Sequence, residues 1–236
     1  MLTIAAANAM LALLCRNDNW ANVGDATGLR GSTTPGNLYL SACTAFPGYT
    51  PAGGQGEQEA TYTGYARPAI VRSSSGWGTP SGGSISPVAD STFGIRSDNG
   101  ANQLLYYWIL GTASSGSGNA LLAGFFGDAT FGMRAFASDD VTTEAIKVAA
   151  HGLATDDRVA FFAGPNGSLP AGITEGTVYF VRSGSTTDTF TVATTSGGAA
   201  VNVTAMGVGL VAKIKPLTVA QTSEPKLSSS TVLHLI

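Results

Sequence analysis

The chain has 236 residues, 44% of them apolar, enough to bury one large core or one core plus a satellite, and too apolar a mixture to stay disordered. Lys and Arg number 12 against 15 Asp and Glu, a net charge of -3, and no basic run could neutralise a row of phosphates, which argues against direct nucleic-acid binding. Charged residues make up only 11%, a density that suits a subunit whose faces are covered by neighbours better than a free monomer.

The apolar start, MLTIAAANAMLALLC, imitates a signal-peptide core, yet no Lys or Arg precedes it and a membrane span needs about 20 apolar residues. It predicts instead a helix of the mature protein over 4–14, capped by Thr3, with the cation of Arg16 at the C-terminal carbonyls. Residues 17–37 read as a surface connection. Period-two alternation then predicts a strand at 38–43, and the next strand run is 62–71, with Pro68 marking an edge or bulge. A turn-rich stretch follows at 76–87, then strands at 91–95, 103–110 (the most apolar) and 120–126. With 31 glycines and recurrent Ser and Thr, the class is mostly β.

From Val141 to Val211 the chain carries a separate set of short strands, predicted at 145–149, 158–162, 177–182, 189–193, 200–203 and 207–213. Cys15 and Cys43 fit no metal spacing and read as buried free thiols, a disulfide remaining the alternative if they meet in space.

The stretch NLYLSACTAFPGYTPAGGQGEQEATYTGYARPAIVR, Asn37 to Arg72, resembles the signature of a family of small bacteriophage virion proteins described as capsid decoration or tail-fibre proteins. The match lies at Asn37–Thr44, Pro47–Gly48 and Glu59–Arg67. Residues 141–211 resemble a small β module of phage head and tail proteins through His151-Gly152, Asp157-Arg158-Val159, Leu169-Pro170-Ala171-Gly172, Gly176-Thr177-Val178-Tyr179-Phe180 and Thr189-Phe190. The stretch PLTVAQTSEPKLSSSTVLHLI resembles the closing strands of the first family, at 216–220 and 231–236, and together these resemblances imply a jelly-roll-like β-sandwich body, formed with the short N-terminal helix by 1–140 and 212–236, and an inserted β module at 141–211.

Catalytic chemistry is hardly visible. His151 and His234 are the two imidazoles, neither in a nucleophile motif, and they read as a turn and a strand residue. Asp139-Asp140 and Asp156-Asp157 lack the fuller calcium-loop pattern and read as turn residues. Glu57 and Glu59, two apart on one strand, lack the facing arrangement that a glycosidase pair requires. No phosphate-binding glycine loop is present. The sequons at Asn166 and Asn202 carry meaning only in a secreted protein. The expectation is therefore no enzyme, no cofactor and no metal.

Trp20, Tyr49 and Trp77 fall in predicted connections, where a large ring suits either local packing or a partner, and they are the candidate partner-binding residues. The reading is a capsid decoration or cement protein on the outside of the head, made in the bacterial host cytoplasm. Its expected partners are the major capsid protein and copies of itself, with no nucleic acid and no membrane, and a host cell surface contact through the module is the further expectation. The alternative is a tail-fibre or tail-tip receptor-binding protein.

Overall fold

The computed structural model describes residues 3–234 apart from 22, 24–27, 30, 50, 129, 141, 142, 165, 166, 183 and 184, and excluding the side chains of 139, 140 and 234. It opens on helix α1 (Ile4–Leu11), where the Thr3 hydroxyl accepts from the Ala6 N–H at 3.2 Å. The expected α-helix to 14 gives way after Leu11 to a π-helical turn, Ala12–Arg16, which ends on Asn17 in the left-handed region at φ 62°. Its last carbonyls are taken by a cation from elsewhere in the chain: Arg72 donates to Leu14 O (2.7 Å) and Leu13 O (2.9 Å). Among the described residues no helix is long and apolar enough to cross a membrane.

Described strands follow in chain order: β1 (Asn37–Cys43), β2 (Ala69–Val71), β3 (Ser84–Ile85), β4 (Ser91–Thr92), β5 (Gln103–Leu105), β6 (Tyr107–Gly111), β7 (Ala120–Phe125), β8 (Met133–Asp140), β9 (Ala145–Lys147), β10 (Arg158–Phe162), β11 (Val178–Val181), β12 (Thr189–Phe190), β13 (Val192–Ala193), β14 (Gly207–Ile214), β15 (Leu217–Val219), β16 (Lys226–Leu227) and β17 (Leu233–His234). They divide into two compact units, Met1–Gly124 with Leu217–Ile236, and Phe125–Pro216.

The first unit carries an antiparallel sheet in the order β2-β1-β6-β7. All five residues of β6 are buried, which requires protein on both faces of the sheet, and this layering fits a β-sandwich-like fold. The last segment of the chain returns antiparallel along 84–105, with β15 on β5, β16 on β4 and β17 on β3. Phe93 N to Pro225 O (2.9 Å) and Arg96 N to Ser223 O (3.0 Å) continue the pairing between these short ladders.

In the second unit the sheet order is β12-β9-β8-β14-β10-β11-β13. Its two outermost strands are separated in sequence by Thr191 alone, so the sheet must curl until its edges meet, giving a barrel-like form. The inward face follows the period-two rule. Phe136, Ile146, Val159, Phe161, Tyr179, Val181, Phe190, Val192 and Val211 fill the interior, with Phe161 edge-on to both Phe136 (5.1 Å) and Tyr179 (5.9 Å).

The expected strand at 158–162 has those bounds, while 103–110 breaks at Tyr106 into β5 and β6 and 62–71 shrinks to β2. Residues 200–203 form no strand, although Val203 is buried in the barrel core. β3, β8 and β16 were not expected. The second unit spans 125–216, wider than the expected module at 141–211, because β8 pairs through Met133–Ser138 with β14 and supplies Phe136 to the barrel core. Expressed alone, 125–216 should therefore unfold cooperatively on heating, whereas 141–211, deprived of β8, should not. Circular dichroism melts of the two fragments check this; equal cooperativity would overturn the boundary.

Candidate functional site

The signature stretch builds a buried polar staple. Gly64 sits at φ +98°, and a Cβ there would lie 2.0 Å from Ile95 O, so the turn at 63–64 requires glycine. That turn folds Glu59 and Arg67 together. Arg67 donates from Nε to Glu59 Oε1 and from Nη2 to Glu59 Oε2, both at 2.6 Å, with its side chain 1% exposed. Tyr65 donates to Glu59 Oε1 (2.7 Å) and accepts from the Ala42 N–H of β1 (3.0 Å). Burial pushes the Tyr65 phenol well above its ordinary range; the Ala42 N–H partly offsets this and the Glu59 charge adds to it, so Tyr65 remains a neutral donor.

The same guanidinium reaches Ala113 O (2.9 Å) and Gly116 O (2.6 Å) in the glycine-serine turn. Gln55, fully buried, donates to Tyr39 O (2.6 Å) and accepts from Ala113 N (3.0 Å), and its own carbonyl accepts from Ser41 Oγ (2.8 Å). Two loops and the central strand are thereby locked together. Glu59, Tyr65 and Arg67 all lie in the 59–67 motif, and the signal in the sequence for this role is a pair of opposite charges flanking a glycine turn.

Three further arginines work the same way. Arg96, buried, pairs with Asp98 (Nε to Oδ1, 2.8 Å) and donates to Ala101 O and Val219 O, both at 2.9 Å. Asp98 in turn accepts from Thr63 N (2.8 Å) and Gly100 N (3.0 Å). Arg72 holds the helix terminus, and Arg16 donates to Trp77 O (2.8 Å). Cys15 and Cys43 are free and buried, and burial pushes both thiols up to about 12.

The candidate partner-binding rings separate. Trp77 is wholly buried (0% exposed), which corrects its assignment as a docking residue. The turn-rich stretch folds back on itself through Gly78 N to Ser86 O and Val88 N to Gly76 O, both at 2.9 Å, and holds the indole inside. Tyr49 is 67% exposed, edge-on to Phe46 (5.5 Å), whose ring lies 5.4 Å from that of buried Tyr107. It is an exposed ring with an anchored base. Trp20 is half-buried, and its backbone pairs with that of Leu29 at 2.8 and 2.9 Å.

The titratable candidates are engaged structurally. His151 is buried; Nδ1 accepts from Leu153 N (2.9 Å), Nε2 faces Thr189 O (3.4 Å), and the ring lies edge-on to Phe190. Asp157 accepts from Ala154 N (2.8 Å) and pairs with Lys213 (2.6 Å), while Asp156 accepts from Ser196 Oγ (2.7 Å). Glu57 accepts from Gly53 N (2.7 Å) within its own loop. Gly172 of the module motif sits at φ +100°, where a Cβ would lie 2.2 Å from Asn202 O. Among the described residues no three His, Cys, Asp or Glu gather as a metal site. The side chains of Asp139, Asp140 and His234, and residue Asn166, lie outside the described set.

Removing the guanidinium leaves the Glu59 charge without its counter-ion, held by Tyr65 alone among these partners, and takes the donor from two loop carbonyls, so Arg67→Ala should lower the unfolding free energy by roughly 3–5 kcal/mol. Arg67→Lys, without the fork, should recover only part of it, as read from urea unfolding midpoints. The Asp98 carboxyl is held well below the usual range, first by Arg96 and then by the Thr63 and Gly100 N–H groups. Its contribution is therefore complete above the unfolded-state pKa of about 3.9 and is lost as pH falls below it. Asp98→Asn should flatten the acid limb of a stability curve measured between pH 2 and 6.

Neither a protein-family model nor a curated protein matches the chain.

Proposed function

We propose that this chain is a structural protein of a bacteriophage virion, a decoration or cement subunit on the outer face of the capsid, made in the host cytoplasm. Its partners in this reading are the major capsid protein and copies of itself, and it is not an enzyme. The signature at 37–67 and the module motifs supply the resemblance. The observation that carries the reading is the inward use of charge: Arg16, Arg67, Arg72 and Arg96 all donate to main-chain carbonyls within the fold. In a chain with 11% charged residues, this leaves an outer surface poor in charge, fit to be covered by neighbours.

The mechanism is mechanical. Each copy bridges adjacent capsid subunits, and many weak contacts joined through a lattice give high total avidity against the pressure of packaged DNA. Tyr49 supplies the docking ring that Trp77, buried, does not. Particles assembled without the protein should lose DNA at lower temperature or milder osmotic shock than complete ones. Tyr49→Ala should fold normally yet saturate particles at a roughly thirtyfold higher concentration, the equivalent of about 2 kcal/mol. Equal survival together with failure to adsorb to cells would transfer the reading to a tail-fibre or tail-tip protein.

A further inference from the structure

Sheet edges invite pairing with other chains, and folds blunt them by keeping edge strands short, covered, charged or interrupted by proline. Among the described strands, every edge strand but one is two or three residues long. β2, at one side of the four-stranded sheet, spans Ala69–Val71, follows Pro68, and is flanked by Arg72, whose guanidinium ties it to the helix terminus. At the other side stands β7, six residues long with the sequence ALLAGF. It carries neither proline nor charge, and no charged residue occurs anywhere between Asp98 and Asp128. Leu121 is 38% exposed and Ala123 is also exposed, so this edge offers apolar side chains as well as backbone.

We propose that β7 is a self-association edge, pairing antiparallel with the β7 of a second copy of this chain to join two four-stranded sheets into one of eight. The second copy is the favoured occupant for two reasons. An antiparallel pairing of identical strands about a two-fold axis is self-complementary, and an uncharged strand meets its own copy without like-charge opposition. A heterologous pairing of β7 with β2 is disfavoured by the length, proline and covering of β2. The proposal rests on the sheet edge and does not depend on the virion reading, since the dimer forms without any capsid.

The experiment is analytical ultracentrifugation of the purified full chain over a dilution series. Wild type should sediment as a dimer that dissociates on dilution. The double variant Leu121→Lys with Ala123→Lys, which sets like charges against each other across the axis, should raise the dimer Kd by roughly a hundredfold or more with an unchanged thermal melt. A control at the opposite edge, Val71→Lys, should remain dimeric. A wild-type monomer at every concentration, an undiminished dimer in the double variant, or equal disruption by the control would overturn the proposal. If the double variant fails to fold, wild-type hydrogen exchange decides: amide protection in 120–124 should rise with protein concentration, and concentration-independent exchange there would equally overturn it.

Discussion

The first unit depends on buried guanidinium groups satisfying main-chain carbonyls that no strand ladder reaches. Its strands are mostly two or three residues long, so much of its backbone runs through turns and loops. A buried carbonyl without a donor costs free energy comparable to a lost hydrogen bond. Arginine offers five donors in a rigid fork and meets several such groups at once. Arg67 alone binds Glu59, Ala113 and Gly116, and Arg96 binds Asp98, Ala101 and Val219. The 59–67 stretch is, on this view, a solution to a folding problem: the glycine turn and the Glu-Tyr-Arg set hold irregular chain in one conformation.

The second unit solves the same problem by closure. Its sheet bends until β12 and β13, neighbours in sequence, form the two outermost strands, and the interior is filled by apolar side chains. Charge there gathers at the ends of strands, where Lys213 meets Asp157 and Arg134 donates to Ala149 O and Ala150 O. Two units in one chain thus satisfy their backbones by different means, side-chain forks in one and continuous ladders in the other.

What could be read from the sequence follows from this difference. β10 was legible because Val159 and Phe161 face an apolar interior within a short run bounded by turn residues. β8 was not: one face alternates Arg134, Phe136 and Ser138, the other Ala135 and Ala137, so the apolar contrast that marks a strand is flat. Trp77 was misplaced because a tryptophan in a glycine-rich stretch looks exposed until the stretch folds over it, which no local pattern encodes. Gln55, fully buried between two loops, left no local signal, since its partners at Tyr39 and Ala113 lie far along the chain. Tyr49 is exposed because its loop leaves the sheet after β1, and its ring lies edge-on to Phe46, whose own ring packs beside Tyr107.

The antiparallel ladder between β8 and β14 sets Met133 opposite Ala212, the start of one strand beside the end of the other. Chain therefore enters and leaves the barrel-like unit at one end of a single strand pair, about 5 Å apart. For a host fold, the entropy of closing a loop grows with the number of unconstrained residues between its anchors. Once the barrel-like unit has formed, nearly all of the residues between Phe125 and Pro216 drop out of that count, and the remaining connection behaves as a short loop. The unit is in this sense nearly invisible to the conformational entropy of the chain that carries it, which is the thermodynamic condition for acquiring or losing such a cassette without redesigning the host.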